Sequence, residues 1–226
     1  MSESPSSNAK YVLASRSPRR LELLRLIVPA DSIDVLPPRS PHEACFNDLI
    51  DQAGIESRLI EIARSKCDDV FEQLKMAETA DRDGRNADCR RIVIAADTVI
   101  IATDTAGRPI VLGQPPEDEF RHEAVRLWFR ELFAGRSHVA ATAVCVALPG
   151  GKQTERIART TVWFRPDAKR YLDWYLSTGE SRGKAGGYAV QGAGSIFVSK
   201  IEGSLSNVIG LPLEELLDVL KDIPAG

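Results

Sequence analysis

A carboxylate stands in the middle of a strongly apolar segment, where Asp97 lies between Ala95-Ala96 and Thr98-Val99. An ionised group in such surroundings is costly unless a metal, hydrogen bonds or a cation accompanies it. Asp97 could therefore bind a divalent cation or activate a water molecule beside a phosphate. The alternative is a structural carboxylate at a bulge or turn, satisfied by backbone N–H groups.

The segment at residues 15–20 joins a short apolar strand to the start of a helix. Ser17 is suited to the N-cap and Pro18 to the first helical position, so free backbone N–H groups and the positive end of the helix dipole point at one place. Arginines follow at three nearby positions, namely Arg16, Arg19 and Arg20. This combination suits a polyphosphate, although a capped helix with its arginines in water remains equally open.

Four further polar residues each have a functional and a structural interpretation. Lys66 lies beside the apolar stripe of a long helix, where it could reach a site or only extend its charge into water. Lys184 and Gln191 flank the glycines of GKAGGYAVQGAG. Lys184 could meet a phosphate or an activated water and Gln191 could read a base edge, or both could be exposed on a turn. Glu43, in a proline-broken loop, could complete a metal site or be solvated.

Hydrophobic periodicity predicts the elements that position these residues. Predicted strands cover 11–14, 92–101, 110–112, 138–148, 156–164 and 195–201, and predicted helices include 54–77, 116–134 and one that begins near Pro212. Loops are predicted at 29–48 and in EGSLSN. His138, at the start of a strand, is expected to be structural because no nucleophile pattern accompanies it. Hairpins interrupt the alternation of helices and strands, so we expect a mixed α/β sheet rather than a pure Rossmann arrangement.

Composition narrows the class of protein. The 226 residues are 43% hydrophobic and 27% charged, with a formal net charge of −3, which disfavours a general nucleic-acid binder. The four cysteines have no metal-site spacing. Residues 1–9 are polar and predict a disordered leader before a single domain at 10–226. No apolar run is long enough to span a membrane, and we expect a cytoplasmic protein.

Four segments taken together resemble the Maf family of nucleotide pyrophosphatases. They are LASRSPRRLELL, AADTVI, GRSHVAATAV and GKAGGYAVQGAGSIFVSKIEGSLSNVIGLPL, and the resemblance spans nearly the whole chain. It implies an elongated mixed sheet with flanking helices, two lobes around a cleft, and a fold similar to that of inosine triphosphate pyrophosphatases. It also implies a homodimer and hydrolysis of a nucleoside triphosphate to the monophosphate and pyrophosphate, with Mg²⁺, Mn²⁺ or Co²⁺ as cofactor.

The resemblance also assigns expected roles to residues. Asp97 falls on the acidic active-site position, described as the proton acceptor, and we expect it to bind the metal together with Glu43. Substrate specificity is tied to the positions of Arg19, Thr98 and Gln191. Recurrent polar positions around the phosphates and the metal match Ser15, Arg20, Glu43, Lys66 and Lys184. The tail KAGGYAVQG with SNVIGLPL looks like the branch that acts on dTTP and UTP.

The chain departs from the family pattern at two positions near these motifs. Gln114 stands where the family usually has a lysine before proline, and Gly183 stands where an aspartate commonly precedes Lys184. A cationic phosphate contact and a metal or water ligand could therefore be missing. The alternative function is a catalytically weakened nucleotide-binding regulatory protein linked to cell division. No stable nucleic-acid partner and no membrane association are expected.

Overall fold

The structure, a computed structural model, describes residues 9–39, 45–80 and 91–223. The strands in these ranges are β1 (Lys10–Leu13), β2 (Ile33–Val35), β3 (Arg91–Thr103), β4 (Pro109–Leu112), β5 (Ser137–Ala147), β6 (Gln153–Phe164) and β7 (Val198–Glu202). The α-helices are α1 (Pro18–Leu24), α2 (Gln52–Ala80), α3 (Arg121–Trp128), α4 (Leu172–Ser177), α5 (Leu205–Ile209) and α6 (Leu213–Lys221).

The strands form one mixed sheet in the order β2-β1-β3-β5-β6-β7, with β4 beside a second stretch of β3. Strands β2, β1 and β3 run parallel, whereas β4, β5, β6 and β7 join by antiparallel pairing. The predicted mixed α/β class with flanking helices is confirmed. The hairpins that argued against a pure Rossmann arrangement are the antiparallel part of this sheet.

The central strand β3 is buried on both faces, and each face has its own packing. Side chains alternate along a strand, so Val93, Ala95 and Val99 pack against α2 in one hydrophobic cluster. The opposite face carries two clusters, one with α1 and α6 and the other with the aromatic residues around Phe129. Polar residues lie between these two clusters.

Three predicted boundaries are corrected. Residues 29–48, expected as a loop, include β2, whose three residues are too few to show a period and are held by pairing with β1. The predicted strand 195–201 begins as a 3₁₀ turn at Ala193–Phe197, and the strand itself is β7. The predicted helix 116–134 starts as α3 only at Arg121 and ends in a π-helical turn, Phe129–Phe133.

Other predictions concern parts of the chain that lie outside the described residues. These parts hold most of the predicted leader at 1–9, Glu43 and Cys89. Within the described ranges, Cys45, Cys67 and Cys145 are free thiols. In the same ranges, none of the helices combines the length and the apolar character needed to cross a membrane.

Candidate functional site

The middle of β3 is open along one edge. β1 pairs with β3 at Arg91–Ile94, and β4 pairs with it at Ile100–Thr103. Between them, residues 95–99 pair only with β5 among the described strands. The chain leaves the sheet after Ala14 and turns into α1 at this level. Asp97 and Thr98 therefore occupy the stretch of the central strand that a ligand can approach from the edge.

Asp97 forms an ion pair with a lysine from the long helix. Its side chain points to the α2 face, is nearly buried, and accepts a hydrogen bond from Lys66 Nζ, 2.6 Å from its Oδ1. Lys66 lies next to the fully buried Cys67, so the inward face of α2 brings its amine to the carboxylate. This pairing satisfies the requirement that a buried carboxylate have a cationic or hydrogen-bonding partner.

Thr98, the next residue, points to the opposite face and belongs to a hydrogen-bond chain. Arg20 Nη2 donates to Thr98 Oγ1 at 3.1 Å, and Arg20 Nε donates to the carbonyl oxygen of Gly210 at 2.8 Å. Thr98 Oγ1 and Thr142 Oγ1 are 3.0 Å apart, and Thr142 donates onward to the carbonyl of Asn207. These bonds fix the guanidinium of Arg20 at the edge of the site.

The start of α1 supplies hydroxyl and cationic groups beside this edge. Ser17 is the N-cap and its side chain accepts from the backbone N–H of Arg20. The nearly buried Ser15 accepts from the N–H of Ser17 at 3.1 Å and from Arg20 Nη1 at 3.4 Å. Burial lowers the pKa of Arg19, and the charge of Arg20 lowers it further, against the opposing effect of Glu180. The protonated arginines are thus crowded where an anion would relieve their repulsion.

Lys184 reaches the same region from a glycine-bearing loop. Burial lowers its pKa, and so does the charge of Arg19, whereas Glu180 raises it. The loop lies flat against the sheet: Gly186 has a φ of +67°, and a Cβ there would come within 2.9 Å of Ile100 Cγ1. Only glycine allows this conformation and approach together, and the approach carries Lys184 to the open edge of β3.

These groups surround one cavity of about 980 Å³. Seven of the residues to which the family resemblance assigns a role line it, namely Ser15, Arg19, Arg20, Lys66, Asp97, Thr98 and Lys184. Among the described residues, the lining holds five cationic side chains, of Arg16, Arg19, Arg20, Lys66 and Lys184, and two carboxylates, of Asp97 and Glu117. A cavity with this excess of positive charge favours a polyanionic ligand.

The model of the family described as Maf-like protein matches residues 10–223. The chain belongs to the Maf-like family. Among curated relatives, a dTTP/UTP pyrophosphatase of Chelativorans sp. (strain BNC1) is 37% identical over 222 residues, covering 95% of this chain and 91% of the relative. A dTTP/UTP pyrophosphatase of Brucella abortus (strain 2308) is 38% identical over 220 residues, covering 94% and 91%.

Solved structures were also compared with the chain by shape. The nucleoside-triphosphatase / dITP/XTP pyrophosphatase of Mycobacterium abscessus aligns with a TM-score of 0.36 at 14% identity, covering 70% of the Maf-like chain and 73% of that structure.

Among the described residues to which the family resemblance assigns a role, Gln191 is not part of the cavity lining. Gln191 is exposed on the turn that follows the glycine-bearing loop, and its predicted contact with a base stays a prediction. Glu43 lies outside the described residues, so its predicted metal contact is untested. His138 is buried with its Nε2 2.7 Å from the hydroxyl of Tyr188, as a structural histidine is expected to be.

Sequence reasoning missed several residues that line the cavity of this Maf-like chain. Glu117 lies beyond β4, and no pattern in its neighbourhood marks it. Gly210 contributes a carbonyl oxygen to Arg20 from 190 residues away, a contact that only the tertiary fold creates. Gln114, noted only as a departure from the family pattern, also lines the cavity. The end of the strand at Leu112, followed by one glycine and two prolines around Gln114, is a second signal for this residue, independent of the family pattern.

Proposed function

We propose that the chain is a nucleoside triphosphate pyrophosphatase, a hydrolase acting on acid anhydrides, with dTTP- and UTP-like pyrimidine nucleotides as substrates. The reaction consumes one water and releases the nucleoside monophosphate and pyrophosphate. The observation that carries this proposal is the cavity in which cationic side chains face the carboxylate of Asp97 at the open edge of β3. Two relatives that cover more than nine-tenths of the chain bear the name dTTP/UTP pyrophosphatase.

The donor set fits a divalent cation that is shared with the substrate. Within the described residues, no group of three or more His, Cys, Asp and Glu side chains could hold a metal alone. Mg²⁺ is commonly bound through one or two carboxylates together with substrate phosphates and waters. Asp97, together with Glu43, would hold Mg²⁺, Mn²⁺ or Co²⁺. Such an ion polarises the scissile phosphate when bound.

Different residues of the cavity bind the phosphates, activate the water and position the carboxylate. Arg19 and Arg20 bind the phosphate chain at the start of α1, and Ser15 adds a hydroxyl contact. Asp97 orients the attacking water between the α- and β-phosphates and accepts its proton, while Lys66 keeps the carboxylate in place. Lys184 acts at the same centre, on a phosphate oxygen or on the water.

The base would be recognised at the other end of the substrate. Gln191 carries an amide that can pair with the O4 and N3–H edge of uracil or thymine. Thr98 and Arg19 contribute to the choice of substrate, Thr98 through its hydrogen bond with Arg20. The departures at Gln114 and Gly183 support the alternative of a nucleotide-binding regulatory protein in which catalysis is weakened.

A panel of nucleoside triphosphates separates the two functions. The purified chain is incubated with dTTP, UTP and purine triphosphates in Mg²⁺, Mn²⁺ or Co²⁺, and pyrophosphate and orthophosphate are measured separately. We expect metal-dependent release of pyrophosphate, fastest with dTTP or UTP and abolished by a chelator. Metal-dependent binding without turnover would support the regulatory protein instead.

We further propose a cytoplasmic homodimer without a stable nucleic-acid partner. The family resemblance supports the dimer, and the net charge of −3 disfavours a general affinity for nucleic acid. Analytical ultracentrifugation tests the dimer, and retention on DNA at physiological salt would contradict the absence of a nucleic-acid partner.

A further inference from the structure

Glu180 joins two segments that are distant in sequence. It stands on the turn after α4, and both of its carboxylate oxygens accept backbone N–H groups: Ala193 donates at 3.2 Å and Gly194 at 2.8 Å. Hydrogen bonds to an ionised carboxylate are stronger than those between neutral groups. Glu180 therefore holds the first residues of the 3₁₀ turn Ala193–Phe197 in a fixed position.

Two glycines flank Ala193 at this contact, and a Cβ on either of them would come too close to a neighbouring atom. Gly192 has a φ of +102°, and a Cβ there would lie 2.2 Å from Oε1 of Glu180. A Cβ on Gly194 would lie 2.4 Å from the carbonyl oxygen of Ala189. The chain thus folds back on itself across residues 189–194, with the carboxylate packed directly on the main chain. Gln191 stands at the exposed tip of this turn.

The charge of Glu180 also acts on the cationic wall of the cavity. It raises the pKa of Arg19 and that of Lys184, opposing the effect of burial on both groups. Glu180 also stands on the turn that leads directly to Lys184, with three residues between them. Its hydrogen bonds to Ala193 and Gly194 therefore connect the Gln191 turn to the segment that carries a cavity-lining cation, although Glu180 is not itself part of the lining.

We propose that Glu180 is a positioning residue for base selection, because it fixes the turn that carries Gln191 relative to Arg19 and Lys184. This inference rests on the proposed function. Glu180 touches no substrate: it sets the distance between the group that reads the base and the groups that bind the phosphates. A nucleotide can then engage both only when its base edge matches the amide of Gln191.

Two variants separate the hydrogen bonds of Glu180 from its charge. Glu180→Gln removes the charge and replaces one acceptor oxygen by a donor, so one of the two amides loses its partner. Glu180→Asp keeps the charge but is one methylene too short to reach both amides. Glu131→Gln is the matched control, because its carboxylate is exposed and pairs with the neighbouring Arg130.

Amide hydrogen exchange tests the contact without any assumption about activity. We expect exchange at Ala193 and Gly194 to be about 10- to 100-fold faster in both Glu180 variants than in the wild type, since the loss of a charged hydrogen bond allows local opening. The control variant should leave exchange at these amides unchanged. Unchanged exchange in Glu180→Gln and Glu180→Asp would overturn the proposal.

Base discrimination tests the consequence. Kd is measured for the α,β-methylene analogues of UTP and CTP, and kcat and KM are measured for UTP and CTP. We expect the preference for UTP over CTP to fall about 10-fold in both variants, mainly through Kd and KM for UTP, with kcat changed by less than about 3-fold. A purely structural defect would lower the active fraction equally for both nucleotides and leave the ratio intact, and that result would overturn the proposal.

Inorganic tripolyphosphate distinguishes this inference from the proposed function. It carries no base, so its affinity should be kept in Glu180→Asp and kept or raised in Glu180→Gln, where a negative charge near the cations is lost. A wild-type chain that binds the analogues but hydrolyses no triphosphate contradicts the proposed function, while the exchange and Kd measurements still decide the role of Glu180. Equal loss of tripolyphosphate and UTP-analogue binding in both variants would contradict that role.

Discussion

Adjacent residues on β3 present two different environments. On the α2 face, Asp97 is held by an ion pair with Lys66. On the opposite face, Thr98 belongs to a chain of neutral acceptors and hydroxyls that ends on the main chain of Asn207, with Arg20 donating into it from the cavity side. The α2 face therefore holds the carboxylate that we propose as the base. The opposite face, called the scaffold face below, holds Thr98, Thr142 and Asn207, which orient Arg20, the arginine that we propose binds phosphate.

The neutral scaffold also separates two hydrophobic clusters. Thr98 stands between Ala96 and Ile100, which belong to different clusters, and Thr142 divides β5 in the same way. Asn207 continues the division by donating to Ala140 O and to Thr160 Oγ1, each at 3.0 Å. A polar boundary in the core restricts which clusters can pack together. Changes on the α2 face should therefore alter catalysis most, and changes on the scaffold face should alter substrate affinity and stability.

The largest effect is expected for Asp97→Asn. The amide keeps the shape of the side chain but cannot accept a proton from water, so pyrophosphate release from dTTP or UTP should fall about 10³-fold. The amide oxygen can still accept a hydrogen bond from Lys66 Nζ, so the variant should fold, with a thermal unfolding midpoint a few degrees below that of the wild type. Asp218→Asn, on the exposed side of α6, is the control and should keep full activity. Near-normal turnover in Asp97→Asn would refute the assignment of catalysis to the α2 face.

The next effect is expected for Lys66→Met, which leaves the carboxylate of Asp97 without its lysine. Removal of one partner of a buried pair should lower the free energy of unfolding by about 3 kcal/mol, measured by urea denaturation. Lys75→Met is a matched control on the same helix, because its exposed pair with Glu72 should contribute less than about 0.5 kcal/mol.

The double variant Lys66→Met/Asp97→Asn gives a sharper form of this prediction. With the carboxylate neutralised, the loss of the lysine no longer takes an ion-pair partner from a charge, so the double variant should be more stable than Lys66→Met alone. If the double variant and Lys66→Met had the same free energy of unfolding, the charge of Asp97 would not be the cause of the instability of Lys66→Met.

On the scaffold face, low pH should destabilise the protein through His138, because its buried imidazole does not readily take up a proton. Burial among aromatic rings lowers its pKa to about 3, whereas the unfolded chain has the ordinary value near 6.5. Between pH 3 and pH 6.5, His138 is protonated in the unfolded state but not in the folded state. The contribution of His138 to the free energy of unfolding is therefore complete above pH 6.5 and falls as the pH decreases, by up to about 1.4 kcal/mol per pH unit. His138→Gln cannot titrate and should show a slope smaller by about one proton. Identical slopes in the two proteins would contradict the prediction.

The sequence predicts the chemistry of the α2 face better than that of the scaffold face. A carboxylate inside the apolar run around Asp97 needs a partner whatever the fold, so its importance is visible locally. The sequence does not show which residue pairs with Asp97, because only the packing of α2 against the sheet brings Lys66, rather than another lysine, to the carboxylate. The mixed sheet was likewise predictable, since long strands and hairpins carry their own periodicity.

The hydrogen-bond chain on the scaffold face could not be predicted from the sequence. Thr98, Thr142 and Asn207 come from β3, β5 and α5, and hydroxyls and amides in strands and helix starts have many local uses. Their connection depends on strand register, which places Thr98 opposite Thr142. Short elements such as β2 and α5 were missed for a related reason, since tertiary pairing stabilises segments that are too short to show a pattern.

The smallest effect is expected for Thr98→Val, which changes the scaffold face while leaving Asp97 intact. Valine fills the same space but cannot accept from Arg20 or donate to Thr142, so the free energy of unfolding should fall by about 1–2 kcal/mol. The guanidinium of Arg20 keeps its bond to Gly210, so KM should rise less than about 10-fold with kcat almost unchanged. Thr98→Ser keeps the hydroxyl and should recover most of both losses. If Thr98→Val instead abolished turnover as completely as Asp97→Asn, the two faces of β3 would not divide binding from catalysis.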